Sequence, residues 1–369
     1  MVNPEDYEVI IENLKSKNEI DLDLRQQLAS KAFLHVAHYD IAIANYYTKQ
    51  FLDNKPGMPG ILNPVLEKVA DLRYGENPHQ NAAFYSVNSG LTQKPFEQLH
   101  GKELSYNNII DIAAAIDIVK SFSIPAATII KHTNPCGAAT GDNLLEAYQK
   151  AHDADPISAY GSIVGLNRVV DIKTAELLSK NFIEVIIAPD FDKEAFEILS
   201  KKTALRLIKT NDNQPSSDDY LFRYIDNSFL VQSKNDLLVQ DSDLEIVTSF
   251  KPSKADLNDL MFAFNLVKYV KSNAILIANN GQSLGIGAGQ MSRVDAVEIA
   301  LKKAGEKARG AVLASDAFFP FKDSIELAAK YGIRAIIQPG GSKRDQESID
   351  ACEANKICMA FSGSRHFLH

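Results

Sequence analysis

Residues 126–137 read AATIIKHTNPCG, and this stretch decides how the chain is read. The run Ala126, Ala127, Thr128, Ile129, Ile130 has the length and apolarity of a buried strand. A basic pair, Lys131 and His132, follows, and Thr133, Asn134, Pro135, Cys136 and Gly137 then turn the chain. The pair is therefore expected at the carboxyl end of a central strand, the edge at which open α/β sheets bind ligands. An ammonium beside an imidazole has a chemical use there. One can hold negative charge while the other moves a proton near neutral pH. Two solvated loop side chains would give the same pattern, so the rest of the chain decides.

Towards the N-terminus, NNIIDIAAAIDIVKSF (107–122) is apolar all round and reads as a buried helix. LRYGENPHQ (72–80) carries Arg73 and Tyr74, a planar cation and an aromatic, into turn residues. Residues 1–55 read as helical, with Leu28, Ala32, His35, Val36 and Tyr39 near one face. The Pro- and Gly-rich stretch 53–64 marks a boundary. Towards the C-terminus, FIEVIIAP (182–189) is another buried strand, and Glu184 inside it needs a partner. Residues 210–220 form a polar, loop-like stretch near the midpoint. Beyond it, Asn279, Asn280, Gly281 and Gln282 read as a tight hairpin turn. Helix–strand alternation then resumes through LGIGAGQ (284–290), DAFFPFKD (316–323) and QPGGSKRD (338–345).

Both halves thus predict α/β layers with polar clusters after strands. This suggests a duplicated architecture, although no residue-level repeat is visible. The expected organisation is a helical N-terminal segment (1–66), a first α/β unit (67–210), a connecting segment (211–250) and a second α/β unit (251–369).

The net charge of −8 over 369 residues argues against a nucleic-acid coat and against binding to an anionic membrane surface. It leaves room for an anionic small ligand held by a few local cations. No signal peptide or membrane-spanning run is apparent. The sparse cysteines, Cys136, Cys352 and Cys358, suggest a reducing compartment, and the cytoplasm is the expected location.

GIGAGQ is not a dinucleotide fingerprint, because Gln290 stands where the last glycine is needed; its glycines are expected to let backbone approach a ligand. NPCG lacks the second thiol of a zinc-deaminase turn, so no metal is expected and Cys136 reads as a small buried residue. FFPFKD gathers phenylalanines around Pro320 with Asp323 attached, which suits a wall for a flat ring whose nitrogens the carboxylate fixes. Arg73, Lys131, Arg293, Lys343 and Arg365 each fall at a predicted loop or strand end, and several converging would bind phosphate.

LRYGENPHQ, KHTNPCG, SAYGSIV, IGAGQMSR, SDAFFPFKD and the terminal RHF-x-H together closely resemble the transformylase part of the AICAR transformylase/IMP cyclohydrolase family. KAFLHVAHYDIAIANYY (31–47) resembles that family's segment joining its two activities. The resemblance runs from about Arg25 to His369 and does not include the cyclohydrolase domain, so ring closure to IMP is not expected. It implies a tandem pair of cytidine-deaminase-like α/β units without zinc. It also implies a homodimer with sites at the subunit interface, and it leaves room for a bound monovalent cation.

The implied reaction moves the formyl group of 10-formyltetrahydrofolate, a co-substrate, onto the 5-amino group of AICAR. By resemblance, Lys131 and His132 are the catalytic pair, His132 accepting the proton and Lys131 stabilising the oxyanion, or the reverse. Asn273 supports the transition state. Arg73, Tyr74, Gly161, Glu184, Arg293, Phe318 and Arg365 match nucleotide-binding positions, and Val294, Asp323, Ser342 and Lys343 match folate-side positions. Ser324 departs from the family pattern and puts a minor folate contact in question. The runner-up is a non-catalytic homologue that binds AICAR or folate. An enzyme taking formate and ATP is disfavoured by the lack of a phosphate loop.

Overall fold

The computed structural model describes residues 1–52, 57–87, 95–211 and 220–369, so parts of the stretches 53–64 and 210–220 lie outside the described residues. The chain divides into two compact units. The smaller comprises residues 1–73 and 81–94. It holds helices α1 (Asp6–Lys17) and α2 (Leu22–Tyr47) and the antiparallel pair β1 (Leu66–Leu72) and β2 (Ala82–Val87). No residue of α2 is buried: Val36, Tyr39, Tyr46 and Tyr47 of the expected stripe are exposed, and so are Phe33 and Leu34 away from it.

The larger unit, residues 74–80 and 95–369, is built on a 12-stranded mixed sheet. Its first half contains β3 (Phe96–His100), α3 (Tyr106–Lys120), β4 (Ala126–Lys131), β5 (Asn134–Thr140), α4 (Leu144–Ala154), β6 (Ser162–Leu166), α5 (Ile172–Ser179), β7 (Ile183–Ala188), α6 (Lys193–Leu199) and β8 (Arg206–Thr210). A separate hairpin follows, β9 (Tyr220–Ile225) and β10 (Ser228–Ser233). The second half contains β11 (Glu245–Ile246), α7 (Lys254–Val267), β12 (Ile275–Asn279), β13 (Gln282–Gly287), α8 (Arg293–Ala304), β14 (Val312–Ser315), α9 (Asp323–Lys330), β15 (Ala335–Gln338), α10 (Asp345–Ala354) and β16 (Cys358–Phe361). Helices begin where a short polar side chain can accept a first-turn N–H. Ser105, Asn143, Asp171, Ser253 and Ser292 each accept from the residue three positions on.

The strand order is β11-β16-β15-β14-β12-β13-β5-β4-β6-β7-β8-β3. Read outwards from the central β13–β5 contact, the two halves make the same pairings. An antiparallel hairpin comes first, then an antiparallel neighbour, two parallel steps and an antiparallel edge strand.

Alternation along each strand sorts the core to two faces. Ala127, Ile129, Val164, Leu166, Ile186 and Leu207 pack with α4–α6 residues such as Tyr148, Leu178 and Leu199. Ile275, Ile277, Leu313, Ile336 and Met359 pack with α8–α10 residues such as Val297, Ile325 and Cys352. Burying each such large aliphatic side chain contributes about 1.5–3 kcal/mol relative to exposure.

The glycines of LGIGAGQ, expected to let backbone approach a ligand, admit helix backbone instead at two positions. A Cβ on Gly285 would lie 2.0 Å from the Ala300 carbonyl oxygen, and one on Gly287 would lie 2.0 Å from that of Ala296. Both oxygens belong to α8, so the glycines admit helix backbone against β13. Gly137 admits α4 against β5 in the same way, 2.0 Å from the Ala151 oxygen.

Candidate active site

Lys131 ends β4 as expected, but β4 runs antiparallel to β6. Its carboxyl end therefore lies beside the amino ends of the parallel strands β6 and β7, opposite to the expected carboxyl edge. In the second half, Asn273 precedes β12, which is antiparallel to β14, so it lies beside the carboxyl ends of β14–β16. Because β5 and β13 join antiparallel, these two ends fall on one edge of the sheet. That edge carries Lys131, His132, Gly161 and Glu184 from the first half. From the second it carries Asn273, Arg293, Val294, Phe318, Asp323, Ser342, Lys343 and Arg365. A direct contact ties the halves there: the Lys271 backbone N–H donates to Asn134 Oδ1 at 3.1 Å.

Lys131 Nζ donates to the carbonyl oxygens of Tyr160 and Gly161, each at 3.0 Å. Two of its N–H groups are thereby aimed, and one remains for another acceptor. Gly161 has φ +65°, and a Cβ there would meet Phe182 at 3.2 Å and Lys131 Nζ at 3.7 Å. Glycine thus meets the backbone need and leaves the ammonium room.

His132 and Thr133 form the two-residue loop between Lys131 and Asn134, with φ +52° and +64°. Each non-glycine residue held left-handed costs of order 1–2 kcal/mol. Local bonds offset this. Thr133 Oγ1 donates to the His132 carbonyl at 2.7 Å, Asn134 Nδ2 donates to it at 3.1 Å, and the Thr133 N–H donates to Asp111 Oδ1 at 2.6 Å. Burial pushes the Asp111 carboxyl up, while the Thr133 N–H and the His132 and Lys131 charges pull it back.

Glu184 is only half-buried, its side chain 44% exposed, because it stands at the rim where β7 begins. This corrects the expectation of a buried carboxylate. Its partners are Asn108 Nδ2 at 3.4 Å and Arg206 Nη1 at 4.0 Å. Asn107 donates to the Glu76 carbonyl at 3.4 Å, which ties the turn after Tyr74 to the start of α3. Arg73 is the last residue of the smaller unit's first segment, and Tyr74 opens the larger unit.

The second-half residues converge on a cavity of about 490 Å³ lined by Asn273, Arg293, Val294, Phe318, Asp323 and Arg365, among others. Arg293 is not a loop cation. It opens α8, is buried, and its Nη1 donates to Asp316 Oδ1, to Ser315 Oγ at 3.1 Å and to the Ala274 carbonyl at 3.3 Å. Its Nη2 donates to Asn273 Oδ1 at 2.6 Å, and Asn273 Nδ2 donates to the Gln290 and Met291 carbonyls at 2.9 and 3.2 Å. Asn273 is thus fixed through both ends of its amide.

FFPFKD divides: Phe319 is core, whereas Phe318 and Phe321 are exposed at the cavity. Asp323 opens α9 beside them. Arg365 lies over the Phe367 ring, 4.3 Å from its centroid. Ser342 and Lys343 lie in the loop after β15 and do not line the cavity, although the adjacent Arg344 covers the Phe321 ring at 5.1 Å.

A sequence model of the AICARFT/IMPCHase bienzyme family matches residues 1–303. The chain belongs to this family. It also aligns over its whole length with the bifunctional purine biosynthesis protein PurH of Oceanobacillus iheyensis, 49% identical over 374 residues. The PurH proteins of Thermoanaerobacter sp. and Acetivibrio thermocellus are 48% and 47% identical to it. The chain covers 72% of each of these relatives.

Three residues of this AICARFT/IMPCHase chain that support the edge were not singled out from sequence. Asp111 lies under the His132 turn, Asn108 meets Glu184, and the fully buried Asp316 holds Arg293. The available signal was a carboxylate or amide inside an otherwise apolar helix, or directly after an apolar strand. Among the described residues no group of His, Cys, Asp or Glu could hold a metal, and no helix is long and apolar enough to cross a membrane. The cysteines are free, and burial pushes the Cys136 thiol up to about 12, which suits a packing residue.

Proposed function

We propose that this chain transfers the formyl group of 10-formyltetrahydrofolate to the 5-amino group of AICAR, giving FAICAR and tetrahydrofolate. The observation that carries the reading is the single sheet edge: the Lys131–His132 pair and the cavity around Asn273, Arg293 and Phe318 belong to different halves yet open on the same side. Membership of the family supports the substrates.

The amine of AICAR is a weak nucleophile because its lone pair delocalises into the ring and carboxamide. Its nitrogen attacks the formyl carbon while His132 takes the amine proton, aided by the carboxamide. The carbonyl π-electrons move onto oxygen, and the resulting oxyanion is met by the Lys131 N–H not committed to Tyr160 or Gly161. The oxyanion then reforms the carbonyl as the bond to the folate nitrogen breaks, and that nitrogen takes a proton from Lys131 or from protonated His132. The two side chains could exchange roles with the same balance. Asn273 offers an amide held rigidly by Arg293 and two carbonyls.

Arg73, Tyr74, Gly161, Glu184, Arg293, Phe318 and Arg365 are the proposed AICAR contacts. Val294, Asp323, Ser342 and Lys343 are the proposed folate contacts, with Asp323 accepting from the pterin N–H edge. The repeated strand order supports reading the larger unit as two deaminase-like halves; the proposed division places them within residues 67–210 and 251–369, joined by 211–250, although residues 67–73 and 81–94 fall in the smaller unit and the edge strand β11 falls in the joining stretch. A homodimer working in the cytoplasm completes the proposal, and the uncovered apolar side chains of α2 and of β9–β10 suit a partner of the same kind.

The test is formyl transfer with both substrates present and ATP omitted. Stoichiometric FAICAR and tetrahydrofolate support the reading. Tight binding of both substrates without product would identify a non-catalytic binder, and a requirement for ATP and formate would identify a different donor.

A further inference from the structure

We propose that Asp111 is the positioning residue that holds the His132 turn in its working conformation. Tight two-residue hairpin loops with both residues left-handed favour Asn-Gly. The matching hairpin of the second half, β12–β13, follows that rule, with Asn280 and Gly281 at φ +52° and +63°. The β4–β5 hairpin holds the same conformation with His132 in place of the asparagine and, in place of the glycine, the β-branched Thr133, for which a positive φ is unfavourable.

Both halves brace this turn with the same device. Asp111 stands six residues after the helix cap Ser105 and accepts from the Thr133 N–H at 2.6 Å. Asp259 stands six residues after the cap Ser253 and accepts from the Gly281 N–H at 2.9 Å. In the second half the turn residues need little help, and Asp259 also pairs with Arg334 at 3.1 Å. In the first half no glycine assists, and the turn carries the imidazole beside Lys131. The anchor therefore matters more where the preferred turn residues have been given up for chemistry. A carboxylate accepting one backbone N–H from below leaves the imidazole free to face the edge.

The kinetic arm of the test rests on the formyl-transfer reading; the structural arm does not. Asp111→Ala is expected to lower kcat by about 100-fold through misplacement of His132, with the AICAR KM within roughly 3-fold of the parent. Asp111→Asn, whose amide oxygen still accepts from Thr133, restores kcat to within roughly 5-fold of the parent. Thr133→Gly added to Asp111→Ala recovers most of the loss, because glycine takes positive φ unaided. It also keeps the question measurable should the single variant fail to fold.

A crystal structure of Asp111→Ala, or backbone chemical shifts at His132 and Thr133, should show the turn leaving the left-handed region. A turn unchanged in Asp111→Ala overturns the proposal, as does Asp111→Asn no better than Asp111→Ala. If the parent chain transfers no formyl group, the functional reading fails while the turn geometry still decides the role of Asp111.

Discussion

Removing the Asp316 carboxylate should unsettle the second-half wall of the site more than any other single truncation there. Asp316 is fully buried and accepts from Arg293 Nη1, from Ser272 Oγ and from the Ala274 N–H at 3.1 Å, and the Arg293 side chain is only 5% exposed. Asp316→Ala therefore leaves a guanidinium buried without its counter-charge, which costs about 3–5 kcal/mol. The orphaned Ala274 N–H would add about 1–3 kcal/mol if the effects were independent, but they share one carboxylate and will not sum. A loss of about 4 kcal/mol is a large share of the ~5–15 kcal/mol that holds a domain folded. It corresponds to a melting point lowered by roughly 7 °C, since a unit of this size unfolds with an entropy of about 0.6 kcal/mol/K at ~2.1 cal/mol/K per residue. Scanning calorimetry or near-UV circular dichroism measures it. Arg293→Met in the Asp316→Ala background should regain part of the loss, since no unpaired cation then remains. An Asp316→Ala protein melting within about 2 °C of the parent would refute the reasoning.

Three further outcomes are expected. His132→Ala should lose at least about 100-fold in turnover while its AICAR dissociation constant stays within roughly 3-fold; turnover within a few-fold of the parent removes the proton-acceptor role. Arg365→Ala should weaken AICAR binding by about 10–100-fold, the worth of a charge-assisted hydrogen bond of ~1.5–3 kcal/mol, and isothermal titration reads it directly. His366, buried against Phe264 and near the Lys268 ammonium, is pushed down from 6.5 to about 4, burial being the larger cause and Asp316 opposing. The unfolded chain then binds more protons than the folded one below pH 6.5, so stability present above that pH is lost as pH falls towards 4. Denaturant titrations across that window should show a shallower pH slope for His366→Gln.

What the sequence disclosed was local. The apolar run before Lys131 and the Asn280–Gly281 turn are set by neighbours in the chain, and both form as read. The edge on which Lys131 lies follows from β4 running antiparallel to β6, and the two halves share that edge through the β5–β13 contact at Ala139 and Gln282; periodicity reveals neither pairing. Glu184 looked buried because its neighbours are apolar, but a strand's first turn of pleat stands at the rim. Gly285 and Gly287 looked like ligand glycines because their partner, the α8 backbone, follows them in sequence and carries no signal of its own. Arg293 was singled out through the family motif as a candidate, whereas its burial and its pairing with Asp316 needed the fold. The duplicated layout was suspected, but its residue-level correspondence was hidden: Asp111 and Asp259 match only once both helices are counted from their serine caps.

A crystal structure with AICAR bound tests the central claim most directly. The 5-amino nitrogen is expected within hydrogen-bond reach of His132 or Lys131, with the nucleotide running along the shared sheet edge towards Arg293 and Arg365. An amine far from both side chains in every copy, including across a subunit boundary, would contradict it.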